Sequence, residues 1–354
     1  MGEAKAAGAP RRRLARAVRP GPIPVGKLLR RAESLVYWLV VAPLVAYLPA
    51  VLAYRVACWR GDWTFRYSSG KRSEIVRDLR QVLGDEFTVE EAEQLAQDLF
   101  RFASCEVIDI MRLRGRARAL RRLVEIRGRE HLEAALAEGK GVLLCTAHYG
   151  SFVSALSVLH ASGFPLTNIG RWWWRYETSV SSVERWFWDF AYARRVLRHR
   201  QRPSIEPWPG RVHVAVQAAT ALHANEVVVL SGDAAPLPAE QARAVEVPFL
   251  GHQVRLVPGV VGLARLTGAP VLMAFVHRSV DYRHQVLEIS PPVPMDGEMA
   301  TAFGRCAAAM DAAIRTSPAH WYYWFETDVL ARLGLLPQAP QNGLAAVGGV
   351  AASQ

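Results

Sequence analysis

The chain has 354 residues, 51% of them hydrophobic, and a formal net charge of +11. That length and apolar content exclude a disordered polypeptide and allow one large α/β domain plus a smaller helical part. The positive balance points to nucleic acid or an anionic membrane surface, and its distribution decides between them.

Residues 1–31 carry nine Lys or Arg against Glu3 alone, a net +8. Most of the excess therefore sits in a basic arm, 1–33, read as disordered. It leads into SLVYWLVVAPLVAYLPAVLAY, Ser34 to Tyr54, 21 residues without a charge. About 20 residues at roughly 1.5 Å each would cross a hydrocarbon core. Pro43 and Pro49 remove backbone donors and kink such a helix, which suits an interfacial helix as well as a spanning one. The segment is expected to lie in or span a membrane, with a buried core helix as the remaining reading. If it spans, the basic arm stays in the cytoplasm. The run exceeds a signal-peptide h-region and no A-x-A-like site follows it. Basic residues concentrated beside an apolar run, and not across a folded face, argue against a nucleic-acid partner.

The spacing predicts a helix over TVEEAEQLAQDLFRFASCEVIDIMRL, with Thr88 and Glu91 as a capping box and Ala92, Leu95, Ala96, Leu99, Phe102 and Ala103 on one face. Residues 34–125 are thus a membrane-associated helical region. An α/β domain, 126–332, follows. It opens with a helix over Arg129–Glu138 stopped by Gly139, and a buried strand over Gly141–Ala147 that places His148 at its carboxyl end. Strands over Phe164–Ile169, Glu226–Leu230 and Pro270–His277 follow, with helices over Val212–Ala224 and Pro258–Thr267 between them. This alternation predicts a mostly parallel central sheet flanked by helices. Residues 333–354 are Ala/Gly-rich and read as a disordered tail. Cys58, Cys105, Cys145 and Cys306 form no C-x-x-C pair and read as reduced thiols.

A histidine at a strand end is often only a surface or capping residue. Here His148, Arg171 and Asp233 each follow a predicted strand, so a parallel sheet gathers a base, a cation and an acid on one rim. Trp172, in RWWWR, fits stacking on a ligand, an interfacial belt or ordinary packing. His277, Asp281 and His284 form no recognised ligand set, so no metal is expected. Without a G-x-S-x-G elbow, Walker A or G-x-G-x-x-G motif, hydrolase, NTPase and dinucleotide readings lack support.

The blocks RGREHLEAALAEGKGVLLCTAHYGSF, IGRW, SGDAAP, VEVPFLGHQVRLVPGVVGLARLTGAPVLMAFVHR and PAHWYYWFE, in that order, resemble the bacterial lipid A biosynthesis acyltransferase family, within the lysophospholipid acyltransferase superfamily. The likeness covers roughly Leu35 to Glu326. It implies transfer of a fatty acyl group from acyl-carrier protein or acyl-CoA to a hydroxyl of a membrane glycolipid or lysophospholipid-like acceptor, on the cytoplasmic face of the inner membrane. No cofactor beyond that thioester co-substrate is implied. His148 matches the histidine of the family's H-x4-D/E motif and would be the general base; Gly150 matches a frequent glycine inside it. Arg171 matches a basic residue suited to a phosphate or to developing negative charge. Phe249 and Gly251, in VPFLG, look like an acceptor-proximal loop.

The motif expects Asp or Glu five positions after the histidine, where this chain has Val153. Either Asp233 replaces that acid, or a backbone carbonyl orients the ring, or the chemistry is lost. In the last case the chain is a lipid-binding or assembly protein that kept the fold.

Overall fold

The computed structural model describes residues 35–84, 87–112, 123–170, 186, 205 and 213–337. The uncharged segment does not form one long helix. A π-helical turn, Tyr37–Val41, runs into α1, Ala42–Val45, and the chain restarts at Pro49 as the cap of α2, Ala50–Tyr67. Proline has no N–H with which to continue the preceding turn, so the break falls there. Among the described residues no helix is long and apolar enough to cross a membrane. Of the readings of this segment, a single spanning helix is not what the described residues form: residues 35–54 make two helical stretches meeting at Pro49.

Two further helices complete the N-terminal layer: α3, Ser69–Leu83, and α4, Val89–Arg112. The capping box forms: the Glu91 backbone N–H donates to Thr88 Oγ1 at 3.2 Å, and Glu91 Oε2 accepts from the Thr88 backbone at 2.8 Å. Ala92, Ala96, Leu99 and Phe102 are buried, as the helical period requires. Helix α2 lies close on α4, with Ala53, Tyr54 and Ala57 against Cys105 and Ile108. Gly61 permits the approach, since a Cβ there would stand 2.5 Å from the Arg101 Cα.

The α/β part runs β1 (Val124–Arg127), α5 (Arg129–Ala137), β2 (Val142–Thr146), α6 (Phe152–Ala161), β3 (Leu166–Asn168), α7 (His213–His223) and β4 (Val227–Ser231). A hairpin follows, β5 (Val245–Phe249) and β6 (His252–Leu256), then α8 (Gly259–Thr267), β7 (Val271–Arg278), β8 (Gln285–Val293), α9 (Met299–Thr316) and α10 (Thr327–Leu333). The six-stranded sheet has the order β1-β8-β7-β2-β4-β3, parallel in every pairing except β7 with β8. It is the mostly parallel, helix-flanked sheet that the alternation predicts.

Strand β2 shows why its sequence is apolar without a break. Val142 and Leu144 face the cluster closed by α5 and α6, whereas Leu143 and Cys145 face the larger cluster built with α7, α8, α9 and the N-terminal helices. Both faces are covered, so both must be apolar. The four strands read from sequence are β2, β3, β4 and β7. Strands β1 and β8 and the β5–β6 hairpin carry no clear strand signal in the sequence. β1 alternates with charge over four residues, β8 carries Pro291 and Pro292, and VPFLG reads as a loop. In the structure Phe249 ends β5, and Leu250 (φ 52°) and Gly251 (φ 81°) make the left-handed turn into β6.

Candidate active site

The register of β2 on β4 builds the site. Thr146 pairs with Ser231, and His148 and Asp233 each come two residues later on neighbouring parallel strands. Their chains leave the same rim side by side. Gly232 makes this possible, because a Cβ there would lie 3.0 Å from Cys145 Sγ and 3.2 Å from Met310. The Gly232 N–H then donates to the Thr146 carbonyl at 2.7 Å, tying the two exits together.

Asp233 is fully buried, while the His148 side chain is 41% exposed. Asp233 Oδ1 lies 2.7 Å from His148 Nδ1, and Oδ2 accepts from the His148 backbone at 2.8 Å and from Trp321 Nε1 at 2.9 Å. Burial alone would push the Asp233 carboxyl up, but the His148 ring, the indole and the backbone donor hold it below its ordinary value. Loss of solvation pulls the His148 ring down, and the charge and hydrogen bond of Asp233 outweigh it, so the ring is raised above the usual histidine value. An ionised Asp233 fixes the neutral ring with its proton on Nδ1 and its lone pair on Nε2. Nε2 faces Tyr323, whose hydroxyl is 3.5 Å away and whose ring stacks on the imidazole at 4.5 Å between centroids.

The turn after His148 is clamped on both sides. The Gly150 N–H donates to the His320 carbonyl and the Tyr322 N–H to the His148 carbonyl, both at 2.9 Å. Gly150 has φ 67°, and a Cβ on it would come within 2.1 Å of the Val276 carbonyl oxygen on β7. Its place is therefore against the neighbouring strand. Phe249 is buried with its ring 5.9 Å from Trp321, so it reaches the dyad through the indole that holds Asp233. Gly251 is exposed at the hairpin turn. Val153 stands in the first turn of α6. Arg171 and Trp172 lie outside the described residues.

Helix α4 supplies a buried polar layer beneath this turn. Asp109 accepts from Tyr54 Oη at 2.5 Å and Gln285 Nε2 at 2.8 Å, and pairs with Arg278 at the end of β7. One turn earlier, Glu106 is hydrogen-bonded to Ser151, whose Oγ lies 2.8 Å from Ser154 Oγ. Burial pushes Glu106 up to about 8, with Arg278 pulling against that, Asp109 adding to it and the Ser151 hydroxyl opposing. Nothing in the sequence pattern alone marks Trp321, Tyr323, Glu106 or the Asp109–Arg278 pair as parts of the site. PAHWYYWFE is visible as a block, but which of its aromatics face the histidine is a tertiary fact.

A family model for bacterial lipid A biosynthesis acyltransferases matches residues 26–172 and 196–328. A lipid A biosynthesis acyltransferase of Haemophilus influenzae is 23% identical over 257 residues, covering 72% of this chain and 74% of that protein.

Proposed function

The chain belongs to the bacterial lipid A biosynthesis acyltransferase family, and we propose that it moves a fatty acyl group from the thioester of acyl-carrier protein or acyl-CoA to a hydroxyl of a membrane glycolipid or related lipid. The observation that carries this reading is the dyad: a half-open histidine with its Nδ1 on a fully buried carboxylate. In this scheme the Nε2 lone pair takes the acceptor's proton as its oxygen attacks the thioester carbonyl. The imidazolium that forms is stabilised by Asp233, and its proton passes to the leaving thiolate. No acyl-enzyme is needed. Asp233 thereby supplies the orientation that the family pattern assigns to position 153. Arg171, next after Gly170, is proposed to hold a phosphate of donor or acceptor.

The acceptor is a lipid, and the N-terminal layer suits a membrane surface. Leu39, Val40, Leu44, Leu48, Val51 and Leu52 are all exposed on the segment that follows the basic arm. Exposed apolar side chains on a segment that follows a basic arm in sequence favour an interfacial seat on anionic lipid, which we assign to the cytoplasmic face of the inner membrane.

The test incubates purified protein with acyl-carrier protein or acyl-CoA thioester and a lipid extract and follows thiol release. Release that requires the lipid, with the acyl chain recovered on it, is the expected result. Binding of lipid without thiol release from any donor would instead favour a non-catalytic lipid-binding protein.

A further inference from the structure

The half-open His148 ring has a tyrosine over its Nε2 side. Tyr323 Oη is 3.5 Å from Nε2, at the outer limit of a hydrogen bond, and the phenol ring lies on the imidazole at 4.5 Å and 27° between planes. With Nδ1–H committed to Asp233, Nε2 is an acceptor, so the tyrosine O–H is the donor of that contact. The phenol is held in place. It is part of the 3-10 turn Tyr322–Phe325, which is tied to the His148 carbonyl through the Tyr322 N–H, and its ring packs edge-on against Trp321 at 5.5 Å.

We propose that Tyr323 is a catalytic residue: its hydroxyl caps the His148 lone pair at rest, yields Nε2 to the acceptor hydroxyl, and then donates its hydrogen bond to the thioester carbonyl oxygen as charge builds there. This rests on the acyl-transfer reading above. Once the acceptor oxygen sits within hydrogen-bond reach of Nε2, the carbonyl carbon it attacks is one bond further on. The new oxyanion then falls beside a hydroxyl that was itself 3.5 Å from Nε2. The balance is simple. The acceptor proton goes to Nε2, the new C–O bond forms as the carbonyl pair moves to oxygen, and collapse expels the thiolate, which takes the proton from the imidazolium. Tyr323 keeps its proton throughout. Burial and the neighbouring Asp233 charge raise the phenol well above its ordinary value, so it stays a donor.

Tyr323→Phe keeps the stacked ring and removes only the hydroxyl. It is expected to lower kcat by at least about 10-fold, toward the loss seen when an oxyanion donor is removed, with KM for donor and acceptor within about 2-fold. A second readout needs no turnover. Ethoxycarbonylation of His148 by diethyl pyrocarbonate, followed by peptide mass, should be faster in Tyr323→Phe than in the unaltered protein, because its lone pair is uncapped. Equal kcat with an equal modification rate would overturn the proposal. If the unaltered protein transfers no acyl group, the acyl-transfer reading fails by itself. The modification rates then still decide the cap: faster in the variant upholds it, equal rates overturn it.

Discussion

Asp233 holds His148 through both carboxylate oxygens, Oδ1 on the ring nitrogen at 2.7 Å and Oδ2 on the backbone nitrogen at 2.8 Å. One side chain thus sets the tautomer, the ring direction and the course of the turn. It also raises the ring's proton affinity. In the proposed acyl transfer the base must be neutral, so activity should be lost as pH falls through the raised His148 value, and the acid limb of kcat/KM should lie above the ordinary histidine range. Asp233→Asn removes the charge that raises it. The limb should move to lower pH while the plateau drops by about 10³-fold or more, as expected when a dyad loses its acid. A limb that stays in place would detach Asp233 from the base.

Val153 occupies the position where the family pattern carries an acid, in the first turn of α6. With the ring already oriented from Asp233, Val153→Glu should change kcat by less than about 3-fold, since a second orienter adds little to a complete one. A clear acceleration would show that His148 is under-oriented.

How far this site can be read without coordinates follows from particular residues. The strands ending near His148 and Asp233 are legible because both faces of β2 and β4 are covered, which forces unbroken apolar runs such as Val227–Leu230. Their adjacency is not local information. It depends on β4 pairing with β2 in the register Thr146 to Ser231, across more than eighty residues of chain. Trp321 and Tyr323 are further still, arriving from a 3-10 turn after α9 whose aromatics carry no periodic signal. Charged residues on α4 look like a solvated face by composition, yet Glu106 and Asp109 are buried because Ser151, Arg278, Tyr54 and Gln285 meet them.

That layer has its own consequences. Asp109→Ala leaves Arg278 charged, buried and unpaired, and should cost about 3–5 kcal/mol in urea denaturation. Glu106 is raised to about 8 by burial, so the fold binds a proton that the unfolded chain releases above its own, lower value. Stability should therefore fall as pH rises from about 5 to about 8, and Glu106→Gln should flatten that slope. Parallel curves for the variant and the unaltered protein would show that Glu106 does not titrate in that window.

The exposed apolar residues of the N-terminal segment can be tested without disturbing the core. Removing the chain through Tyr54 would also take the hydroxyl that binds Asp109, so point changes are cleaner. Leu39→Asp with Leu44→Asp should abolish flotation with anionic vesicles while leaving the melting temperature within a few degrees. Undiminished flotation would remove this surface from the membrane contact.

A double-mutant cycle on acyl transfer by His148→Ala, Asp233→Asn and the pair together measures whether the two residues act as one unit. The expected result is that each single change removes most of the activity and the double variant is no slower than His148→Ala alone, because without the ring Asp233 has nothing left to orient. Losses that multiply, or an Asp233→Asn variant that turns over like the unaltered protein, would contradict a His148–Asp233 dyad.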